Sequence, residues 1–178
     1  MLAKIRHYVK SEIPRTIYFG IFASLMNYGS QIWGQYTNAN IKRIIKLQNK
    51  AIRIINFANY REPTTKLYQK SGILKFQDNI RLHNYLFVHD SMNRRLPACF
   101  YDKFQYLHEV HVHSTRSAAQ QCVTLPKSRT LVYGLYSITD QSSRSWNNLQ
   151  IMNSSDNLHV LSRNICKKKI TNKFLQKY

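Results

Sequence analysis

The chain has 178 residues, with 27 lysines and arginines against 8 aspartates and glutamates, a formal net charge of +19. So large a positive excess attracts polyanions, which makes nucleic acid the expected partner and an anionic membrane surface the second. The apolar share of 43% is ordinary for a globular protein and argues against wholesale disorder. No apolar run reaches the roughly 18 residues that a membrane-spanning helix needs.

The compartment is predicted from the first residues and from cysteine usage. The start, MLAKIRHYVK, lacks the apolar core of a signal peptide. Cys99, Cys122 and Cys166 are odd in number and far apart, so we expect reduced, buried thiols. These features predict an intracellular protein, in the nucleus or the cytoplasm.

The first elements in the chain are predicted to be helices. Residues 2–10 form a short basic helix, and Ser11 and Pro14 suit the start of the next, about 13–27. The apolar content of 13–27 is high all round, which predicts burial on every side. The stretch YGSQIWGQ at 28–35 then breaks or bends the helix.

This break gathers two of the five glycines and one of the two tryptophans of the chain. Gly29 and Gly34 are expected to permit a sharp exit or a close helix approach. Trp33 has enough apolar area to anchor the joint in the core. The stretch is therefore predicted to set the angle between two helices.

Residues 40–58 show the clearest helical pattern, with an apolar stripe on one side and cations on the other. The stripe comprises Ile41, Ile44, Ile45, Ile52 and Ile55, with Gln48 and Ala51 between them. The cations are Lys42, Arg43, Lys46, Lys50 and Arg53. Since no acid lies among them to form ion pairs, polyanion binding is favoured over a plain solvated surface.

The remaining elements are also mostly predicted helices. Pro63 marks a break, and helices follow at about 64–71 (ended by Gly72), 77–93, 98–106, 137–149 and 156–176. Alternating residues around Pro126 predict a small β-hairpin near 120–134. Trp146 is expected to dock inward, and Leu158, Leu161, Ile165 and Phe174 to line the last helix. The predicted fold class is mainly α.

Catalytic patterns are scarce. The sequence contains no adjacent acidic residues, no GxxxxGK[ST] loop and no GxSxG turn. His89 and Asp90 are interpreted as a helix-face pair rather than a catalytic dyad. The histidines at 108, 111 and 113 fit a metal site less well than a structural or RNA-contacting cluster, and both interpretations stay open. We assign neither catalytic nor metal-binding residues.

Other features allow several interpretations. Tyrosines interleave with the basic residues and can stack on bases, although core packing is the commoner role. They are Tyr8, Tyr18, Tyr36 and Tyr60. The lysine run at 167–169 suits a contact by the tail, a nuclear-import signal or simple solvation.

An ordered series of segments, none of them a strict motif, carries a family resemblance over nearly the whole chain. The segments are LAKIRHYV, IPRTIYFGIFASLMNYGSQIWGQ, IKRIIKLQNKAIRIINFA, LYQKSGILKFQDNIRLHNYLFVHDSMNRRLP, HVHSTRSA, RTLVYGLYSI and SWNNL. Together they resemble the region that follows the palm in LINE-type (non-LTR) retrotransposon reverse transcriptases.

This resemblance implies a thumb-like helical domain at 1–60 and a carboxy-terminal helical segment at 61–178. In the family the thumb grips the template–primer duplex, so the expected partners are RNA, DNA or an RNA–DNA hybrid and the palm domain, with no membrane. The nucleic-acid-binding residues that it implies are Lys4, Arg6, Lys10, Arg15, Lys42, Arg43, Lys46, Lys50 and Arg53.

The chemistry of the family resides upstream, in an endonuclease and a palm with paired aspartates. This sequence contains no Asp-Asp pair, so we expect a fragment without catalysis and without a cofactor of its own; magnesium belongs to the full-length polymerase. Ser30 stands where family members often have cysteine, and the terminal cysteine–histidine knuckle is absent. The start at Met1 suggests a truncated copy, a gene-model fragment or a domesticated remnant. The alternative function is a remnant that acts only through protein–protein contacts.

Overall fold

A computed structural model describes residues 4, 7–10, 12–34, 39–110, 113, 115–127, 129–152 and 161–178, with the backbone only at 39, 40, 132 and 133. This described part is mainly helical and contains no strand, which confirms the predicted fold class. Its α-helices are α1 Glu12–Ile17, α2 Ser24–Asn27, α3 Ser30–Trp33, α4 Ala39–Ile55, α5 Thr64–Ser71, α6 Phe76–Met92, α7 Leu107–Val110, α8 Arg116–Ala119, α9 Ile138–Met152 and α10 Arg163–Gln176. Tyr18–Ala23 and Leu131–Leu135 are π-helical, and Ala98–Lys103 is a 3₁₀-helix.

The chain divides into two compact units. The first unit comprises Met1–Ile80 and Thr171–Tyr178, and the second comprises Arg81–Ile170. The predicted division after residue 60 refers to the domains of a longer polymerase, and it stays a prediction.

The predicted helix at 13–27 forms, as α1, the π-helical segment and α2 in succession. The expectation that it is buried on every side is wrong. Tyr18, Ala23 and Met26 are buried, whereas Ile21 and Leu25 are 53% and 72% exposed. Apolar content alone does not bury a helix, because each side needs a neighbouring element to cover it.

The stripe of α4 forms much of the core of the first unit, as predicted. Ile52 is fully buried in a cluster with Tyr18 and residues of α5. The buried Gln48 side chain donates to the Tyr18 hydroxyl (3.0 Å) and the Leu74 carbonyl (2.9 Å), and accepts from the Phe76 amide (2.9 Å). These three hydrogen bonds offset the cost of burying the Gln48 amide in an apolar core, and they fix the rotation of α4 about its axis.

The predicted break follows Asn27. Tyr28 is extended, and Gly29 adopts φ +60°, a left-handed conformation that suits glycine. The short helix α3 then places Trp33 against Phe76, with ring centroids 5.4 Å apart in a stacked arrangement. The Trp33 indole also donates to the Tyr28 carbonyl at 2.7 Å, so this half-buried ring joins both sides of the break.

Gly34 permits a close approach, as predicted. A Cβ at this position would come within 2.5 Å of the Ile80 Cδ1 atom and would also collide with the Ser30 carbonyl oxygen. Further along, α5 matches its predicted range and ends at Gly72, which is also left-handed at φ +63°.

The second unit is built on the part of α6 from residue 81 onward and on α9. Trp146 is fully buried and stacks on Tyr85 with centroids 4.5 Å apart, which confirms its inward docking. Its indole donates to the Gln121 carbonyl at 2.9 Å. The helix predicted at 98–106 is shorter than expected, and Phe100 packs edge-on against Phe87.

The hairpin expected near 120–134 is wrong for the described residues of that region. Val123 forms an isolated antiparallel bridge with Tyr106, and Leu131–Leu135 is helical. The side chain of Asn147 accepts from the Val123 amide (2.8 Å) and donates to its carbonyl (2.9 Å). Because the Asn147 side chain forms hydrogen bonds with both the amide and the carbonyl of Val123, neither group is available to a second strand.

The buried stripe of the last helix, α10, includes the predicted Phe174 but not the predicted Ile165. Cys166, Ile170 and Phe174 are buried, whereas Ile165 is 50% exposed. The predicted start at 156 and Leu158 lie outside the described residues. Within the described part of the chain, no helix is long and apolar enough to cross a membrane.

Candidate nucleic-acid interface

The strongest candidate surface is the basic side of α4. Lys42, Lys46 and Lys50 are exposed and recur every fourth residue, so their Cα atoms are about 6 Å apart along the helix axis. Arg43 is exposed beside them, and α4 contains no acidic residue. The buried stripe on the opposite side holds these cations toward solvent. We call Lys42, Arg43, Lys46 and Lys50 the α4 basic face.

Arg53 differs from the other cations of α4. It is half-buried, and its Nε donates to the Glu62 carbonyl at 2.8 Å. This bond holds the turn after α4 and restricts the side chain. Its role in phosphate binding stays a prediction.

The candidates of the first segment are partly described. Lys4, Lys10 and Arg15 are exposed, and Arg6 lies outside the described residues. The Arg15 guanidinium lies over the Phe19 ring, 5.7 Å from its centroid, a cation–π geometry that leaves the charge accessible. Because α1 contacts α4, Arg15 is carried by the same packed unit as the α4 basic face.

The tyrosines proposed to stack on bases have different environments. Tyr8 and Tyr60 are 89% and 80% exposed, whereas Tyr36 lies outside the described residues. Tyr18 is buried, so its proposed stacking role is wrong: the ring belongs to the core. Burial raises the pKa of the Tyr18 hydroxyl, and the hydrogen bond from Gln48 partly lowers it.

The histidines at 108, 111 and 113 are also only partly described. His108 is exposed and stacks on Tyr106 at 5.3 Å, and His113 is exposed. His111 lies outside the described residues. Among the residues that are described, no three His, Cys, Asp or Glu side chains are grouped to hold a metal ion.

His89 and Asp90 are both buried, although they were expected on a helix surface. The His89 Nε2 lies 3.0 Å from the Leu161 carbonyl, and Asp90 accepts from the Arg163 Nε at 2.7 Å. These contacts place the pair in the packing of the second unit.

The sequence analysis missed an exposed apolar surface in the first unit. Its members are large apolar side chains that recur mostly at intervals of four or eight residues. They are Ile13, Ile21, Leu25, Tyr28 and Ile32, between 42% and 85% exposed. We call this set the exposed apolar face. The four-residue spacing was visible in the sequence, but nothing there indicated which side α4 would cover.

Comparison with known proteins supports a retrotransposon relationship. Over 79 residues, 44% of its length, the chain is 35% identical to a Drosophila melanogaster protein named as a probable RNA-directed DNA polymerase from transposon X-element. The chain covers 9% of the length of that relative. No protein-family model matches the chain, and no solved structure matches it.

Proposed function

We propose that this chain is a fragment of a LINE-type retrotransposon RNA-directed DNA polymerase, from its thumb and carboxy-terminal region, that binds template–primer nucleic acid without catalysis. The similarity to the Drosophila protein supports the polymerase origin. The lack of an Asp-Asp pair supports the absence of catalysis. We expect no cofactor, because magnesium would be held by the palm of a full-length polymerase, and an intracellular location, in the nucleus or the cytoplasm.

The observation that carries the binding proposal is the α4 basic face. Its cations lie on an acid-free helix whose opposite side is locked in the core. The mechanism is neutralisation of the phosphate backbone with release of counterions, and without reading of base edges. If about six phosphates are contacted, log affinity for duplex falls with log salt at a slope of about −5.

The test compares two triple variants of the full chain. K42Q/K46Q/K50Q removes three charges from the α4 basic face, and R61Q/K66Q/K70Q removes three exposed charges elsewhere in the first unit. Affinity for a short labelled RNA–DNA hybrid is measured by fluorescence anisotropy over a series of KCl concentrations. We expect the first variant to reduce the slope by about 3, and the second by less than about 1.

Two results would contradict the proposal: a slope near zero for the unmodified chain, or equal losses in the two variants. The second result would mean that net charge, rather than a particular face, attracts the hybrid. Circular dichroism of each variant checks that the helical content of the chain is retained.

The exposed apolar face favours a second candidate, a remnant that acts only through protein–protein contacts. Leu25, Tyr28 and Ile32 are each more than two-thirds exposed. Exposed apolar patches commonly mark protein interfaces, and the palm of a parent polymerase is the partner we propose for this one. Light scattering separates the two candidates. A monomer that binds the hybrid favours the first, whereas self-association without hybrid binding favours the second.

A further inference from the structure

A second cationic surface lies on the part of α10 that belongs to the second unit. Arg163, Lys167 and Lys168 are exposed, and α10 contains no acidic residue. The side chains of Cys166 and Ile170 are buried at 0% and 1% exposure. These two side chains fix which side of α10 faces the core, and the cations therefore face solvent.

The exposed polar side chains form two neighbouring rows. Arg163 and Lys167 are four residues apart, and so are Asn164 and Lys168, which gives a rise of about 6 Å within each row. One strand of B-DNA carries a phosphate about every 3.4 Å of axis, so alternate phosphates match this spacing. We call Arg163, Asn164, Lys167 and Lys168 the α10 strip.

One acid, Asp90, pairs with Arg163 of the α10 strip. Asp90 accepts from the Arg163 Nε at 2.7 Å, and its other oxygen lies 3.9 Å from Arg95 Nη1, so two arginines share one largely buried carboxylate. Within the described residues, Lys167 and Lys168 form no ion pair with an acid. The charges of Lys167 and Lys168 are therefore available to an external anion.

His83, on α6, is close enough to Lys167 and Arg163 for their charges to act on its imidazole. Burial lowers the pKa of the His83 imidazole, and the positive charges of Lys167 and Arg163 lower it further. Two members of the α10 strip thus act on this imidazole. An anion bound to them would offset their charge and raise the pKa of His83.

We propose that the α10 strip is a second phosphate-binding surface of this protein, which holds the phosphodiester backbone of RNA or DNA independently of the α4 basic face. The inference rests on the proposed function for the class of its ligand. A nucleic-acid backbone suits the strip better than a lipid surface does, because a membrane-bound helix inserts an apolar face. Ile165 is the one large apolar side chain of α10 that is mostly exposed, so the helix has no apolar face to insert, and the strip presents an amide and cations.

The experiment uses the full chain with K167Q/K168Q, which keeps Arg163 and its bond to Asp90. The control, K127Q/R129Q, removes two exposed charges from the same unit. Affinity for labelled single-stranded RNA, single-stranded DNA and an RNA–DNA hybrid is measured against KCl. We expect K167Q/K168Q to reduce the salt slope by about 2 for at least one of these ligands, and the control to change affinity by less than about twofold. Equal losses in the two variants overturn the proposal.

A local measurement distinguishes contact from a general loss of charge. The pKa of His83 is followed by NMR with and without saturating nucleic acid, and the exposed His113 serves as the reference. We expect the pKa of His83 to rise on binding in the unmodified chain, and this rise to disappear in K167Q/K168Q. An unchanged His83 pKa at saturation would overturn the proposal.

The two binding surfaces can fail separately. If K42Q/K46Q/K50Q weakens binding and K167Q/K168Q does not, the α10 proposal fails and the proposed function stands. If only K167Q/K168Q weakens binding, the α4 assignment fails and the α10 strip stands. Binding to phosphatidylserine vesicles is measured as well. If K167Q/K168Q loses vesicle binding and keeps its affinity for nucleic acid, the strip is a lipid-binding surface and the proposal is wrong.

Discussion

At the scale of single residues, the three cysteines show how strongly environment controls reactivity. Cys99 is exposed, whereas Cys122 and Cys166 are buried, so the expectation of buried thiols is wrong for one of the three. Burial raises the pKa of the Cys166 thiol from its ordinary 9.0 to about 11, although a hydrogen bond with Tyr85 partly lowers it. Burial also raises the pKa of Cys122.

We therefore predict selective alkylation of Cys99. Iodoacetamide at about pH 8 should modify Cys99 within minutes and leave Cys122 and Cys166 unmodified until the chain unfolds, because only a thiolate that solvent reaches reacts. Mass spectrometry of tryptic peptides measures the three rates, and Cys99→Ser should leave the folded chain almost inert. Equal rates at Cys99 and Cys166 would contradict the burial of Cys166.

The raised pKa of Cys166 also makes the stability of the fold depend on pH. The folded thiol holds its proton more tightly than the unfolded thiol, so its contribution is complete below pH 9.0 and is lost as the pH rises through about 11.

At the scale of elements, the joint between α2 and α4 depends on a close approach of the backbone as much as on the burial of apolar area. Trp33 stacks on Phe76 and bonds to Tyr28 across the break. The backbone at Gly34 approaches the buried Ile80 so closely that a methyl group does not fit. Gly20, in the π-helical segment, offers a direct contrast, because nothing lies within 4 Å of a Cβ built there.

We predict opposite effects for two identical substitutions. Gly34→Ala should lower the free energy of unfolding by about 1–3 kcal/mol, because the added methyl group overpacks the contact with Ile80. Gly20→Ala should be neutral or stabilise by about 0.5–1 kcal/mol, because alanine restricts the unfolded chain and meets no neighbour. Urea denaturation monitored by circular dichroism measures both. If Gly34→Ala is as stable as Gly20→Ala, the close approach at the joint is absent.

At the scale of the whole molecule, the net charge of +19 acts on stability and on binding in opposite ways. Two of the eight acids are buried against arginines: Asp140 accepts from Arg144 at 2.6 Å and Asp90 from Arg163 at 2.7 Å. The excess cations repel one another in the folded state, and dissolved salt screens that repulsion. The same salt weakens attraction to phosphate.

We predict that added salt stabilises the fold while it weakens nucleic-acid binding. Raising KCl from about 20 to about 300 mM shortens the screening length several-fold. The gain should be about 1 kcal/mol, or roughly 3 °C in Tm, measured by thermal unfolding. A variant with four exposed cations neutralised, K66Q/K70Q/K127Q/R129Q, should be more stable at low salt and respond less to KCl. A Tm that does not change with KCl would show that self-repulsion is negligible.

Local periodicity allowed much of the fold to be predicted. The amphipathic pattern of α4 identified its buried stripe, and Gly72 marked the end of α5, because the spacing of apolar side chains and left-handed backbone positions are properties of short segments. The net positive charge, which predicts a polyanionic partner, is a property of composition.

The sequence by itself thus determined the helical class, most of the helices and the two faces of α4, since these depend on interactions within one segment. Tertiary structure decided which apolar side chains are covered: Leu25 and Ile165 are exposed, Tyr18 is buried, and Arg53 is held by the Glu62 carbonyl. It also placed the α10 strip near His83. These outcomes depend on which distant element packs against each face, and the pattern of a single segment contains no information about its neighbours.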